Sequence, residues 1–374
     1  MLSSLVQAQP SLSTALYCLG MYSLIIGISY RANTAKILKW KSYHGSRGFW
    51  IFILTLIFAV TNYTDGDYWN YLAIVKNQSF YGPSHLEDVY VRIIEFVDRE
   101  FALFRAIVWG CALVCYCLLA KTLQNKVFHA VFVLVACYFI QFFYGRVSLA
   151  IAMAFLGYSL FYANLKKNIF LRILGIAIFI CSYFFHRSIV IVMAMCIIMP
   201  FIPFNRKSIT LALLCVPIIF LAFKSFFAYM LTDGDMLAED TTAYMQRYSE
   251  ADRGTSNWKG MIRNFIEYSS FYIPVIIMAY QIYYKKQQNK LPKLVKNIFK
   301  IGVGLVVSGT LFLFMDMKNT VFAYRIIYMA IPAICLSLIN CYKFEVISRK
   351  SYRFCIWCGM ASTFFVLLYC IYIV

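Results

Sequence analysis

Charged side chains are scarce in this chain: Asp, Glu, Lys and Arg make up 14% of its 374 residues, while 62% are hydrophobic. A soluble globular protein of that length needs far more polar surface to cover its core. Acids are the scarcer sign, 16 against 35 Lys and Arg, for a formal net charge of +19. In a soluble chain that excess would point to nucleic acid. Here no soluble module offers a basic face, so nucleic acid is excluded as a partner. Histidines number four, and His44, His85 and His129 form no metal-ligand spacing with His186, which argues against zinc. The long polar stretches hold no cysteine. The 13 cysteines lie almost entirely in apolar runs, as at Cys111, Cys115, Cys117, Cys137 and Cys181, which excludes a disulfide framework and reads as small buried hydrophobes. Cys355-x-x-Cys358 has redox spacing but sits in an apolar run without partner ligands. Walker, Rossmann and kinase signatures are missing, which excludes a cytoplasmic nucleotide-driven activity. The first 11 residues hold no Lys or Arg and the first apolar run reaches Ile28, so an uncleaved first helix is expected in place of a signal peptide.

What the chain does have is apolar runs of about 17–23 residues, the length that crosses roughly 30 Å of hydrocarbon at 1.5 Å per residue. The fold class expected is all-α, a polytopic transmembrane bundle of about twelve helices forming one integral membrane domain over residues 1–374. The helices are expected at 12–29, 48–61, 101–120, 127–144, 146–163, 169–185, 187–204, 208–231, 263–284, 298–316, 321–340 and 354–373. The connections between them alternate in charge. One set is basic, holding Lys36, Lys39, Lys121, Lys126, Lys166, Lys167, Arg206, Lys207, the Lys285–Lys300 cluster and Lys343–Arg353, with Glu345 as its one acid. The remaining acids concentrate in two longer loops, about 62–100 and 232–262. Positive-inside bias then predicts both termini and both long loops on the outer face. Phe (34) and Tyr (29) flank the apolar runs, as interfacial aromatic belts do.

Five arginines fall at the outer start of a descending helix: Arg105, Arg146, Arg187, Arg263 and Arg325. A helix N-terminus disfavours a cation, and so does the outer face. One anion would relieve both conflicts, because helix N-termini offer N–H groups to phosphate and Arg offers a planar fork. The pattern predicts an external cradle for a phosphate or diphosphate. The first long loop opens Thr64-Asp65-Gly66-Asp67-Tyr68-Trp69-Asn70-Tyr71, aromatic rings beside carboxylates, a combination suited to sugars. The second opens Thr232-Asp233-Gly234-Asp235 and continues through Arg247 and Arg253. Both Asp-Gly-Asp runs read as turns, with no metal site. His186, in a tight turn, is the histidine placed to take a proton from an attacking hydroxyl.

Several short elements together resemble the EpsG-type branch of the Wzy polysaccharide polymerases: Asp67-x-x-x-Tyr71, Glu87-Asp88-Val89-Tyr90, Arg146-Val-Ser-Leu-Ala-Ile-Ala, Phe185-His186-Arg187-Ser188 and Tyr324-Arg325-Ile-Ile-Tyr328. They span about residues 60–330; the family's usual Glu-Pro-x-Tyr has Asp88 in place of proline. The resemblance implies an architecture like the C-type glycosyltransferases, in a bacterial inner membrane with the site facing periplasm or exterior. It implies donor and acceptor glycans on undecaprenyl diphosphate, no cofactor, and a chain-length regulator and a flippase as further partners beside membrane lipids. On that basis Arg146 and Arg325 hold the leaving diphosphate, and His186 or Asp67 activates the acceptor hydroxyl. Arg187, Arg247, Arg253 and Arg263 assist or hold the second carrier. Tyr68, Trp69 and Tyr71 line the glycan path, with Glu87 and Tyr90 also on the substrate side. A lipid-linked oligosaccharide flippase, a glycan ligase and a membrane acyltransferase remain open alternatives.

Overall fold

The structure is a computed structural model; it describes residues 16–17, 19–27, 50, 52–57, 60, 68–76, 87–125, 127–138, 145–165, 167–205, 258–315 and 320–373. The expected helix at 208–231, most of the loop at 232–262, and Asp67, Arg247 and Arg253 lie outside the described residues. Every regular element among them is helical. Among the described residues, three helices are long and apolar enough to cross a membrane, over Phe101–Thr122, Arg146–Ala163 and Arg349–Leu368. With the apolar helices around them they make a membrane-embedded bundle.

The stretch 62–100 is not a plain loop. It carries α1 (Tyr68–Val75) and α2 (Asp88–Phe96), two helices too short to span. In α2, Tyr90 and Ile94 are buried while Arg92 and Phe96 are exposed, the one-sided pattern of a helix lying on the bundle. Asp88 stands at its first position, where an acid suits the helix dipole and where proline is equally at home. The link to α3 (Phe101–Thr122) is short, with Asp98 and Arg99 both in the left-handed region at φ 49° and 59°.

Next come α4 (Val127–Cys137), α5 (Gly145–Ala163) and α6 (Ile169–Phe185), then a single 3-10 turn at Arg187–Ile189 and α7 (Val190–Ile198). Asn168 caps α6 by accepting the Leu171 N–H at 3.2 Å. The expected helix 187–204 is thus shorter, ending at Ile198 ahead of Pro200 and Pro203. The α5–α6 hairpin packs backbone on backbone. A methyl group at Gly157 would stand 2.5 Å from the Phe179 amide nitrogen and 2.6 Å from the Gly175 carbonyl oxygen. Small residues permit such close helix approach where lipid supplies no hydrophobic drive between helices. The far side of α6 exposes Ile169, Phe170, Ile173, Ile176, Ile180 and Phe184, an apolar stripe fit for lipid.

The C-terminal half holds α8 (Trp258–Ala279), running on into a π-helical turn at Tyr280–Tyr284, and α9 (Lys293–Met315). The expected helix 321–340 is broken into α10 (Thr320–Met329) and α11 (Ile331–Lys343), because Pro332 cannot donate into a continuous ladder and fits only a first turn. The chain closes with α12 (Arg349–Ile373). His129 on α4 bonds the Tyr352 hydroxyl on α12 through Nε2 at 2.7 Å, which makes that histidine structural. Lysines join the connections at one end of the bundle: Lys343 Nζ donates to the Gln124 carbonyl at 2.6 Å, Lys290 Nζ to that of Glu345 at 3.4 Å, and Lys300 Nζ to that of Ile202 at 2.6 Å.

Candidate functional site

The opposite end of the bundle gathers a polar cluster from four separate stretches. Arg146 enters at the first turn of α5, and His186 in the turn between α6 and α7. Glu87 stands at the N-cap position of α2, Tyr90 lies one turn further along it, and Tyr71 comes from α1. Glu87 binds both partners with separate oxygens. Oε2 pairs with Arg146 Nη1, and Oε1 meets His186 Nδ1 at 3.0 Å. Arg146 Nε donates to the Tyr71 hydroxyl at 2.6 Å, and the Tyr90 hydroxyl donates to the Arg146 carbonyl at 3.3 Å. The guanidinium carbon sits 5.2 Å from the Tyr71 ring centre and 5.7 Å from that of Tyr90, within cation–π range. Phe104 and Phe185 meet Tyr90 edge-on, at 6.1 and 5.9 Å.

The cluster is largely shut off from water. The side chains of Arg146, Glu87 and His186 are 19%, 13% and 12% exposed. Burial alone would raise the Glu87 carboxyl, but the His186 hydrogen bond and the Arg146 charge outweigh it and hold Glu87 below the ordinary glutamate range. Glu87 is therefore ionised at neutral pH and only accepts, so the His186 Nδ1 that meets it is the protonated nitrogen. The other ring nitrogen, Nε2, is buried and has no partner among the described residues. Arg146 spends two of its N–H groups on Tyr71 and Glu87, which leaves three for a ligand. Beside it a cavity of about 20 Å³, room for one water, is lined by Arg105, Tyr71, Trp109 and Arg146 with three apolar neighbours.

A second polar group lies in the C-terminal half. Glu267, buried nine residues into α8, accepts the Tyr328 hydroxyl from α10 at 2.7 Å. Arg325 stands one turn before Tyr328 on α10.

Among the sequence-predicted residues, Arg146, His186, Glu87, Tyr90 and Tyr71 are thus brought together. Arg187, next to His186 in the chain, is exposed. The backbones of Tyr68, Trp69 and Arg263 are helical, but their side chains lie outside the description. The sequence places Arg105 among the helix-start arginines without giving it a role, and Glu267 was passed over. An acid within the apolar run Ile266–Ala279 was a readable signal, because ionisable groups at membrane depth are rare. The pairing of Glu87 with His186 across 99 residues carried no local signal.

The family model described as EpsG family matches residues 47–374, nearly the whole chain. No curated protein and no solved structure matches the chain at a significant level.

Proposed function

The chain belongs to the EpsG family, a Wzy-type polysaccharide polymerase family, and from that premise we propose that it polymerises oligosaccharide repeat units carried on undecaprenyl diphosphate at the outer face of a bacterial inner membrane. The observation that carries this reading is the meeting of a candidate base, His186, and a candidate diphosphate ligand, Arg146, on the single carboxylate of Glu87.

An acceptor sugar hydroxyl attacks the anomeric carbon of the glycan on the donor carrier. His186 Nε2 takes the hydroxyl proton as the new C–O bond forms. The old bond from the anomeric carbon to the diphosphate oxygen breaks, and its electron pair stays on the diphosphate. Arg146 meets that growing negative charge with the N–H groups it has left, held in place before the reaction begins. Arg325 supplies a second positive charge from α10, as the resemblance implies. The products are a longer glycan on the acceptor carrier and a free lipid diphosphate. The donor bond is already activated, so the reaction calls for no nucleotide.

The test is a polymerisation assay with purified protein and synthetic lipid-diphosphate-linked repeat units, read as a glycan ladder on a gel. A ladder is expected, and Arg146→Ala should abolish it. Arg146→Lys should restore little, because a single ammonium nitrogen does not replace a planar fork that meets Tyr71 and Glu87 through separate nitrogens and keeps others for a phosphate. Movement of intact lipid-linked repeats across a liposome membrane with no ladder would make the protein a flippase. Transfer of glycan to a different acceptor would make it a ligase. Either result would overturn the polymerase reading.

A further inference from the structure

Glu87 was expected on the substrate side of the site, yet both of its carboxylate oxygens are taken by the protein itself. We propose that Glu87 is a positioning residue: one oxygen fixes His186 in the Nδ1–H tautomer, which presents the Nε2 lone pair to the acceptor hydroxyl, and the other orients Arg146 so that its remaining N–H groups face the leaving diphosphate.

The chemistry of the ring sets the first half. In a neutral imidazole one nitrogen donates and the other accepts, and the partner of one decides the role of the other. An ionised carboxylate at 3.0 Å from Nδ1 accepts only, so in the neutral ring the proton stays on Nδ1 and Nε2 keeps its lone pair. Nε2 is buried and has no partner among the described residues, so a hydroxyl that reaches it displaces no existing protein bond. Buried polar atoms are normally satisfied, and an orphan beside a carboxylate–imidazole pair is the kind that chemistry explains.

The second half follows from how Arg146 is held. Tyr71 fixes Nε, Glu87 fixes Nη1, and Tyr90 pins the backbone carbonyl. A guanidinium so fixed keeps three N–H groups beyond those two bonds. Glu87 therefore sets the base and the anion ligand relative to each other, although they come from different helices. The kinetic consequence of this arrangement rests on the polymerase reading above; the tautomer does not.

The experiment uses full-length protein in lipid nanodiscs, labelled with 15N in the histidine rings, with His186→Gln identifying the His186 signals. At neutral pH the wild type is expected to show His186 as the Nδ1–H tautomer. Glu87→Gln should convert it to a mixture or to the Nε2–H form, and Glu87→Asp should preserve it. An Nε2–H ring in the wild type, or a tautomer unmoved by Glu87→Gln, overturns the proposal. Size-exclusion profiles confirm that each variant is folded, and Glu87→Asp carries the test if Glu87→Gln is not. The kinetic arm is a double-mutant cycle. Glu87→Gln should lower kcat roughly 10²–10⁴-fold in the wild-type background, as loss of a carboxylate orienting a general-base histidine does. It should change kcat by less than about 3-fold in the His186→Gln background, because residues acting through one another are not additive. Equal losses in both backgrounds overturn the coupling. A wild type that makes no ladder sinks the polymerase reading and leaves the tautomer result to decide the role of Glu87.

Discussion

Three hydroxyl- or carboxylate-bearing side chains hold Arg146, and each bond is a separate handle on it. Tyr71→Phe keeps the ring under the guanidinium but leaves the Nε proton without its 2.6 Å acceptor. A buried donor so orphaned costs about 1–3 kcal/mol, so the variant is expected to melt at lower temperature and to lose activity while keeping its fold. His186→Ala should cost about 10²–10⁴-fold in kcat if Nε2 is the base; a loss under about tenfold would remove it from that role. Glu87 links the cluster to pH. Its folded value lies below its ordinary one, so its contribution to stability is complete above about pH 4.3, the ordinary glutamate value, and is lost as pH falls through the lower, folded value. The melting-temperature gap between wild type and Glu87→Gln should therefore not close between neutral pH and about pH 5, and should close only in stronger acid. A gap that instead closes between pH 7 and 5 would mean that the carboxylate is not held ionised by its partners.

The helices decide which of these side chains can meet. Gly157 and Gly175 let α5 and α6 touch backbone to backbone, and that closeness fixes where Arg146 and His186 stand at the two outer ends of the hairpin. Gly157→Leu must push the helices apart, at a cost of at least the roughly 1–3 kcal/mol typical of overpacking. It is expected to lower the melting temperature of the detergent-solubilised protein and to abolish activity without touching the polar cluster. Gly110→Ala on α3 is the matching control, since its added methyl group would have nothing within 4 Å, and it should be tolerated. At this scale the apolar runs made the long helices readable: α3, α5 and α6 begin within a residue of their expected starts. The break at Ala330 was missed because Ile331 and Ala333 keep the apolar run going, and the one signal against it was Pro332. The short α2 was missed for the opposite reason: Arg92, Glu95, Asp98 and Arg99 make that stretch read as a loop, and its buried Tyr90–Ile94 edge is only one turn long. Single residues of the site were legible through their chemistry, an arginine at a helix start and a histidine in a tight turn. Their partnership was not, because contacts spanning 59 and 99 residues are made by packing and leave no local pattern.

Across the whole molecule, charge sorts the connections by end. The lysine-rich connections are drawn together by Lys343 with Gln124, Lys290 with Glu345 and Lys300 with Ile202, and the cluster of Arg146, Glu87 and His186 lies at the far ends of the same helices. Positive-inside bias assigns the lysine end to the cytoplasm, because Lys and Arg in short connections resist translocation. The cluster would then face outward, as the proposed outer-face reaction requires. Two exposed positions separate the possibilities: Glu95 on α2 and Gln288 in the 3-10 turn of Gln287–Lys290. Glu95→Cys and Gln288→Cys can be probed in intact cells with a membrane-impermeant maleimide, which needs a water-exposed thiolate and so reacts slowly with thiols buried in apolar helices. Glu95→Cys is expected to label from outside, and Gln288→Cys only after the membrane is permeabilised. The reverse pattern would turn the carboxylate, the histidine and the arginine toward the cytoplasm and remove the outer-face reaction, whatever the activity assay gives in detergent.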